Sequence, residues 1–472
     1  MHVAARLPEG VVRGPSTVRA FRMVLANTLV ANVTSSYLWF ALTFWAYLQT
    51  RSVLATSIVG GSYMLLIAVF GTMFGTLVDR HTKKAVMLAS SAITTVAYLA
   101  AGGLYLAFPV ERLIDWSGPV FWVFCLVILI GGVVESMRNI ALSTTVTLLV
   151  PDGERDKANG LVGTVQGVAF MVTSVFSGLS IGRLGMGWTT LIAIALTALS
   201  LVHLLTVDIP ELPPERGEHN RSAYDIAGAI AALRAVPGLV ALLVFTTFNN
   251  LVGGVFMALM DPYGLTLFSV EVWGLVLGVT SVGFIVGGLF VAKAGLGSRP
   301  VRTMLLANLV VALLGLTFTL REWGWLYVLG IFLFMAVMPV AEAAEQTIMQ
   351  RVVPFEKQGR VFGFGQSVEA AASPISAFLI GPIAQFGLIP YMAGDAGRSS
   401  FGWLLGDGQA RGIALVFVVA SLLLLAAVLV AFAAPPYGRL TRAYAAAEPP
   451  PAPADPPAEP DADQAEEPTD AR

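Results

Sequence analysis

The chain has 472 residues, of which 56% are hydrophobic and only 12% charged. A water-soluble domain carries about 25% charged residues, so lipid is the medium for most of this chain, and a mean hydropathy of +0.76 agrees. The formal net charge of −2 conceals an uneven distribution of cations, and nucleic acid is not an expected partner. The lone Cys125 lies inside an apolar run, so no disulfide can form within the chain. The histidines at 2, 81, 203 and 219 have no metal-ligand spacing, and no metal or cofactor is expected.

In chain order, residues 1–21 form a basic leader. The first apolar run is too long for a signal peptide and has no small-residue cleavage site, so it reads as a retained helix. Runs of roughly 20 or more apolar residues follow near 22–49, 53–77, 84–108, 119–149, 160–182 and 186–207. A polar link at 208–235 carries Pro210, Pro213 and Pro214, then a helically spaced stretch, Tyr224 to Arg234, expected along the membrane surface. Six more runs lie near 237–264, 270–295, 301–320, 323–350, 360–386 and 411–434. The expected fold is therefore all-α and membrane-spanning, with about twelve transmembrane helices in two pseudo-symmetric six-helix bundles, 22–207 and 236–434. Residues 435–472 are Pro, Ala and acid-rich and read as a disordered tail.

Lys and Arg in alternate loops set the orientation. Twenty fall on the side that holds Arg80, Lys83, Lys84, Arg155 and Arg360, and six on the other. That bias places both termini in the cytoplasm. The halves also look like repeats: a shift of 217 brings Asn32 onto Asn249, Gly71 onto Gly288 and Met87 onto Met304. A shift of 203 brings Val150-Pro151 onto Val353-Pro354 and Gly160 onto Gly363. Such symmetry implies a central cavity where the bundles meet.

The densest motif is Gly71-Thr-Met-Phe-Gly75-Thr-Leu-Val-Asp79-Arg80-His-Thr-Lys83-Lys84. Two glycines four apart let another helix approach closely, and a carboxylate and three cations then crowd one turn. It resembles the signature between the second and third helices of the major facilitator superfamily of secondary transporters. Gly75, Leu77, Asp79, Arg80, Lys83 and Lys84 match, and Thr82 departs where the family usually has Gly. In the second repeat Leu296 and Gly297 stand at the Asp and Arg positions. The resemblance implies a gate latch in which Asp79 accepts from helix N-termini or a neighbouring Arg in one state and releases them in the other. The alternative is a plain positive-inside anchor.

Charges inside the spans need a cavity or a partner, since burying one in hydrocarbon costs about 2.5–3.5 kcal/mol even on an insertion scale. Glu135 and Arg138, three apart, share a helix face. They are either a proton-coupled pair or a static tie between helices. Members of the drug:proton antiporter branch often carry a functional Arg in this helix, and Arg138 is the candidate match. Glu342, Glu345 and Gln346 share a face of the tenth span, with Glu369 at similar depth in the eleventh. Glu342, Glu369 and Asp261 are candidate proton-coupling residues, while Glu345 reads as paired with Arg351 or Arg360. Asp261-Pro262 marks either an outer gate or a helix end. Asn32, Asn249 and Asn250 are expected to line the cavity, and Asn27 to face the bundle centre. Tyr37, Trp39, Phe40, Phe44 and Trp45 read as packing or lipid-facing surface, and Gly163 and Gly167 as close helix packing.

Three further stretches resemble the branch of bacterial macrolide and tetracycline exporters: Val150-Pro151-Asp with Ala158-Asn159-Gly160; Val353-Pro354 with Gln358-Gly359-Arg360-Val361-Phe362; and Gly406-Asp-Gly-Gln-Ala-Arg411-Gly412. The fifth span lacks the Gly-Pro pair common among drug:proton antiporters, whereas Gly381-Pro382 lies in the eleventh. No catalytic motif and no ATP-binding loop is present. The expectation is a non-enzymatic, monomeric carrier in the inner membrane that exchanges protons for a small lipophilic substrate and exports it. The alternatives are uptake or flipping of a metabolite or lysolipid, and a non-transporting scaffold or sensor.

Overall fold

A computed structural model describes residues 14–50, 53–212, 224–406 and 409–447. Among these residues there is no strand. Twelve long helices follow one another: α1 (Pro15–Thr50), α2 (Val53–Arg80), α3 (Lys83–Ala107), α4 (Pro119–Leu149), α5 (Arg155–Arg183), α6 (Gly185–Thr206), α7 (Leu239–Leu267), α8 (Val270–Ala294), α9 (Pro300–Thr317), α10 (Gly324–Val352), α11 (Phe355–Pro382) and α12 (Gln409–Ala433). Eleven candidate membrane spans meet the requirements of length and apolarity, and α1 falls outside that set. It carries Asn27, Thr28, Asn32, Thr34, Ser35 and Ser36. Asn27 and Thr28 turn those polar groups into the protein, each with 1% or less of its surface exposed. α1 to α6 form one bundle and α7 to α12 the other.

The linker holds a helix over the stretch whose spacing suggests one, and the start of the tail is helical although its composition reads as disordered. Ile226–Ala235 is a short helix capped by Asp225, which accepts from Gly228 N at 2.9 Å. Pro435–Ala446, at the expected start of the tail, is helical as well. It docks on the start of α7, where Tyr437 Oη donates to Ala241 O at 3.0 Å. The expected leader 1–13, the linker residues 213–223 and the tail from 448 lie outside the described residues. α11 continues through a π-helical turn, Ile383–Leu388, into Ile389–Ala393. Pro382 has no N–H to give, and its missing backbone bond is a ready cause of that widened turn.

In lipid, helices gain nothing from hiding apolar surface from one another, so close packing and hydrogen bonds decide which of them touch. The glycines record where they do. A Cβ on Gly75 would lie 2.2 Å from Gly359 O, and one on Gly71 2.6 Å from Ser367 Oγ, which seats α2 on α11. On the symmetry-related side, a Cβ on Gly160 would lie 2.5 Å from Ala292 N, and one on Gly167 2.8 Å from Phe284 Cβ, which seats α5 on α8. Further along the same helices Gly60 and Gly61 of α2, Gly178 and Gly182 of α5, and Gly381 of α11 have nothing within 4 Å. The two bundles therefore meet at the end that carries Asp79 and separate toward the other end.

Candidate functional site

Asp79 closes α2 and lies against the first turns of α11. It accepts from Gly359 N at 2.6 Å, Arg360 N at 3.0 Å and Arg360 Nε at 2.9 Å. The start of a helix carries positive charge, so a carboxylate is favoured there. Arg360 reaches on to Asp225 at 2.8 Å, joining the linker helix to the same contact. Lys83 is buried rather than free at a membrane surface. Its Nζ donates to Val78 O at 3.0 Å, pairs with Glu211 at 3.2 Å and lies 4.8 Å over the Phe355 ring. Burial pushes the Glu211 carboxyl above its ordinary range, and Lys83 opposes that shift. Thr82, the departure from the signature, caps α3: its side chain accepts from Ala85 N at 3.4 Å, which Gly could not do. Lys84 donates to Leu205 O at 3.3 Å, and Arg80 is half-buried.

Beside this contact lies a polar lattice that sequence reasoning missed. Asn159 donates to Thr347 Oγ1 at 2.8 Å and Gln350 Oε1 at 2.9 Å. Gln350 donates to Ser143 O at 3.0 Å, and Gln358 donates to Gln350 O at 2.9 Å. Arg155 pairs with Asp152 and donates to Thr147 O at 3.1 Å and Gln350 O at 3.4 Å. Its signal in the sequence is Ala158-Asn159-Gly160 and Gln358-Gly359-Arg360, the stretches that also carry the exporter-branch resemblance.

Between the bundles are two joined hollows. One, of 220 Å³, is lined by Glu342, Glu345 and Glu369 together with Asn139, Ser143, Asn159, Gln166, Gln346 and Gln366. The second, of 370 Å³, is lined by Phe170, Phe256, Phe284, Phe318, Phe334, Phe417 and four methionines. Gln166 from α5 and Glu342 from α10 belong to both linings. Among the described residues, no Lys, Arg or His lines either of them. Glu369 accepts from Thr246 Oγ1 at 2.6 Å, and the Glu345 side chain lies against Glu369. The buried oxygens Gln346 Oε1 and Gln366 Oε1 have no protein partner. The chamber thus offers carboxylates and free amide oxygens, a set of acceptors suited to a donor or a cation.

Several expectations need correction. Glu345 does not pair with Arg351 or Arg360. Arg351 stacks on Tyr444 at 4.5 Å and donates to Ala447 O, while Arg360 serves Asp79 and Asp225. Asp261 is exposed, with Trp273 Nε1 donating to it at 2.9 Å, and it stands apart from the three glutamates. Glu135 and Arg138 are ion-paired, but inside the first bundle and outside both hollows. Ser90 and Thr94 donate to Glu135 at 3.2 and 3.4 Å. Arg138 donates to Asn27 and Ser91. Asn27 donates in turn to Ser200 O at 2.7 Å and lies 3.0 Å from His203 Nδ1. Asn250 lines the apolar hollow, whereas Asn32 and Asn249 are half-buried and line neither.

Residues 24–377 match the family described as Major Facilitator Superfamily. The chain belongs to that superfamily. It is a multi-pass membrane transporter and not an enzyme. Macrolide efflux protein A of Streptococcus pyogenes is 26% identical over 383 residues, covering 76% of this chain and 88% of that protein. The enterobactin exporter EntS of Shigella flexneri is 24% identical over 407 residues, covering 85% and 92%. The human organic anion transporter MFSD10 (TETRAN) superposes with a TM-score of 0.61 at 17% identity, over 88% of this chain and all of that one, and shares its fold. The site combines a closed contact at one end, a separated other end and a cavity between them. Such an arrangement can expose the cavity to each side of a membrane in turn.

Proposed function

We propose that this transporter is a proton-coupled exporter of lipophilic small molecules that carry a basic group, and that it works as a monomer in the inner membrane. The Lys and Arg bias places the Asp79 end and both termini in the cytoplasm. On that reading the present conformation is closed to the cytoplasm and open outward. The observation that carries the proposal is Glu342, the one carboxylate shared by the acidic and the aromatic hollow. An apolar body fits the Phe and Met walls while its cationic group meets Glu342. The larger hollow, at 370 Å³, falls in the range of drug-sized sites, about 300–1,000 Å³.

Coupling follows from the electrostatics. Ionised glutamates facing one small chamber repel one another, and a proton or a bound cation relieves that repulsion. The two compete for one place, so protons entering from outside release the substrate outward. Asp79 and its partners then act as the inner gate, tight in this state and broken in the inward-open one. The names of two relatives, a macrolide efflux protein and an enterobactin exporter, support the export direction.

The test presents a fluorescent lipophilic cation series to inside-out vesicles from the medium, with and without an imposed pH gradient, acid inside. Gradient-driven uptake into the vesicles, lost in Glu342→Gln, supports the reading. Transport of the same compounds without a gradient, or of neutral and anionic compounds equally well, contradicts it.

A further inference from the structure

The charged turn of the superfamily motif occurs complete only in the first repeat, yet both symmetry-related helix contacts are closed here. At the α2–α11 contact the carboxylate is Asp79. The α8–α9 turn has Leu296 at the corresponding place, so that turn offers no carboxylate of its own. It is held from the other side instead. Asp156, in the first turn of α5, accepts from Leu296 N at 2.8 Å. Its second oxygen accepts from Lys157 N at 2.7 Å, which fixes the carboxylate's orientation. The turn is built to present that amide. Gly295 and Gly297 flank Leu296 with φ of 71° and 74°, a region open mainly to glycine. A Cβ on Gly295 would sit 2.5 Å from Asp156 Oδ2, whereas one on Gly297 would meet nothing within 4 Å. Thr303 Oγ1 donates to Leu296 O at 2.8 Å and braces the same residue.

We propose that Asp156 is a second gate latch, of reversed connection, and that Gly295 is the residue that makes room for it. In the first latch the turn supplies the acid and the helix supplies the donors. In the second the helix supplies the acid and the turn supplies the donor. Both carboxylates belong to the first bundle, and the donors that reach them across the gap, Gly359, Arg360 and Leu296, belong to the second, so one separation of the bundles breaks both. Alanine at Gly295 therefore expels the carboxylate, and asparagine at Asp156 keeps an acceptor while losing its charge. The inference rests on the alternating-access reading above.

The full chain, with Cys125→Ser and spin labels on Thr206→Cys and Arg302→Cys, reports the separation of the bundles at the Asp79 end. The measurement is a distance distribution in lipid nanodiscs, with no substrate and no gradient. Asp156→Ala is expected to raise the long-distance population roughly tenfold, the effect of losing one hydrogen bond to a charged acceptor. Gly295→Ala should move it in the same direction, Asp156→Asn should move it less, and Gly297→Ala, which adds the same backbone strain with no contact to Asp156, should move it less than Gly295→Ala. Equal effects at Gly295 and Gly297 would make backbone strain the cause and overturn the latch. An unchanged distribution in Asp156→Ala, alongside a shift in Asp79→Asn, would overturn the latch and leave alternating access standing. No shift in either would remove the reading on which the latch depends.

Discussion

Replacing Asp79 with Asn tests the inner gate most directly, because the side chain keeps its shape and loses its charge. One oxygen still accepts from Gly359 N. The other site becomes an NH₂ facing Arg360 N and Nε, two donors that lie at 3.0 and 2.9 Å in the intact contact. Arg360 retains Asp225, so it is not stranded, and the loss is smaller than for an isolated buried charge. Hydrogen bonds to a charged group contribute about 1.5–3 kcal/mol each. The weakened geometry therefore costs about 2–3 kcal/mol in the state closed at this end and little in the open one. Since the penalty falls on one state, it becomes a population shift of roughly 30- to 160-fold toward opening. A cysteine at Ser367, which is 8% exposed at the α2–α11 contact and lies 3.0 Å from Thr72 Oγ1, reads that shift. With Cys125→Ser as background, its maleimide labelling rate should rise on the order of tenfold or more in Asp79→Asn. An unchanged rate would refute the assignment of closing energy to this carboxylate.

Other changes separate packing from charge. Gly75→Val brings a side chain against Gly359 O and the Gly363 backbone, which cannot move aside, so this end should stay open. Ser367→Cys should then label at its maximal rate whatever substrate is added. Glu135→Gln should act on stability, because the pair is sealed within α1, α3, α4 and α6. Removing one partner of a buried pair costs about 3–5 kcal/mol, and a thermal melt should drop sharply while the surviving protein keeps its response to a pH gradient. Met335→Asp places a charge in the apolar hollow, and initial-rate measurements should show weaker transport of the bulkiest lipophilic substrates first.

Span count, repeat symmetry and the inner turn were legible in the sequence because lipid imposes them. Length and apolarity fix a crossing helix, and the Gly71, Gly75 and Asp79 spacing fixes one face and one end. What a buried charge faces was not legible, since a helix buries different faces against its own bundle and against the other. Glu135 and Glu342 look alike in sequence: each is an acid in an apolar helix with a polar neighbour on the same face. Their fates diverge through partners supplied by other helices. Around Glu135 stand Ser90, Thr94 and Arg138, enough to satisfy it in place, so that acid ties one bundle together. Around Glu342 stand two more acids and, among the described residues lining the chamber, no Lys, Arg or His, a shortage of positive charge that the lining does not meet. Acids left without a cation in a cavity are what the proposed exporter needs, and that charge imbalance, more than the presence of acid in the membrane, distinguishes the surroundings of Glu342 from those of Glu135.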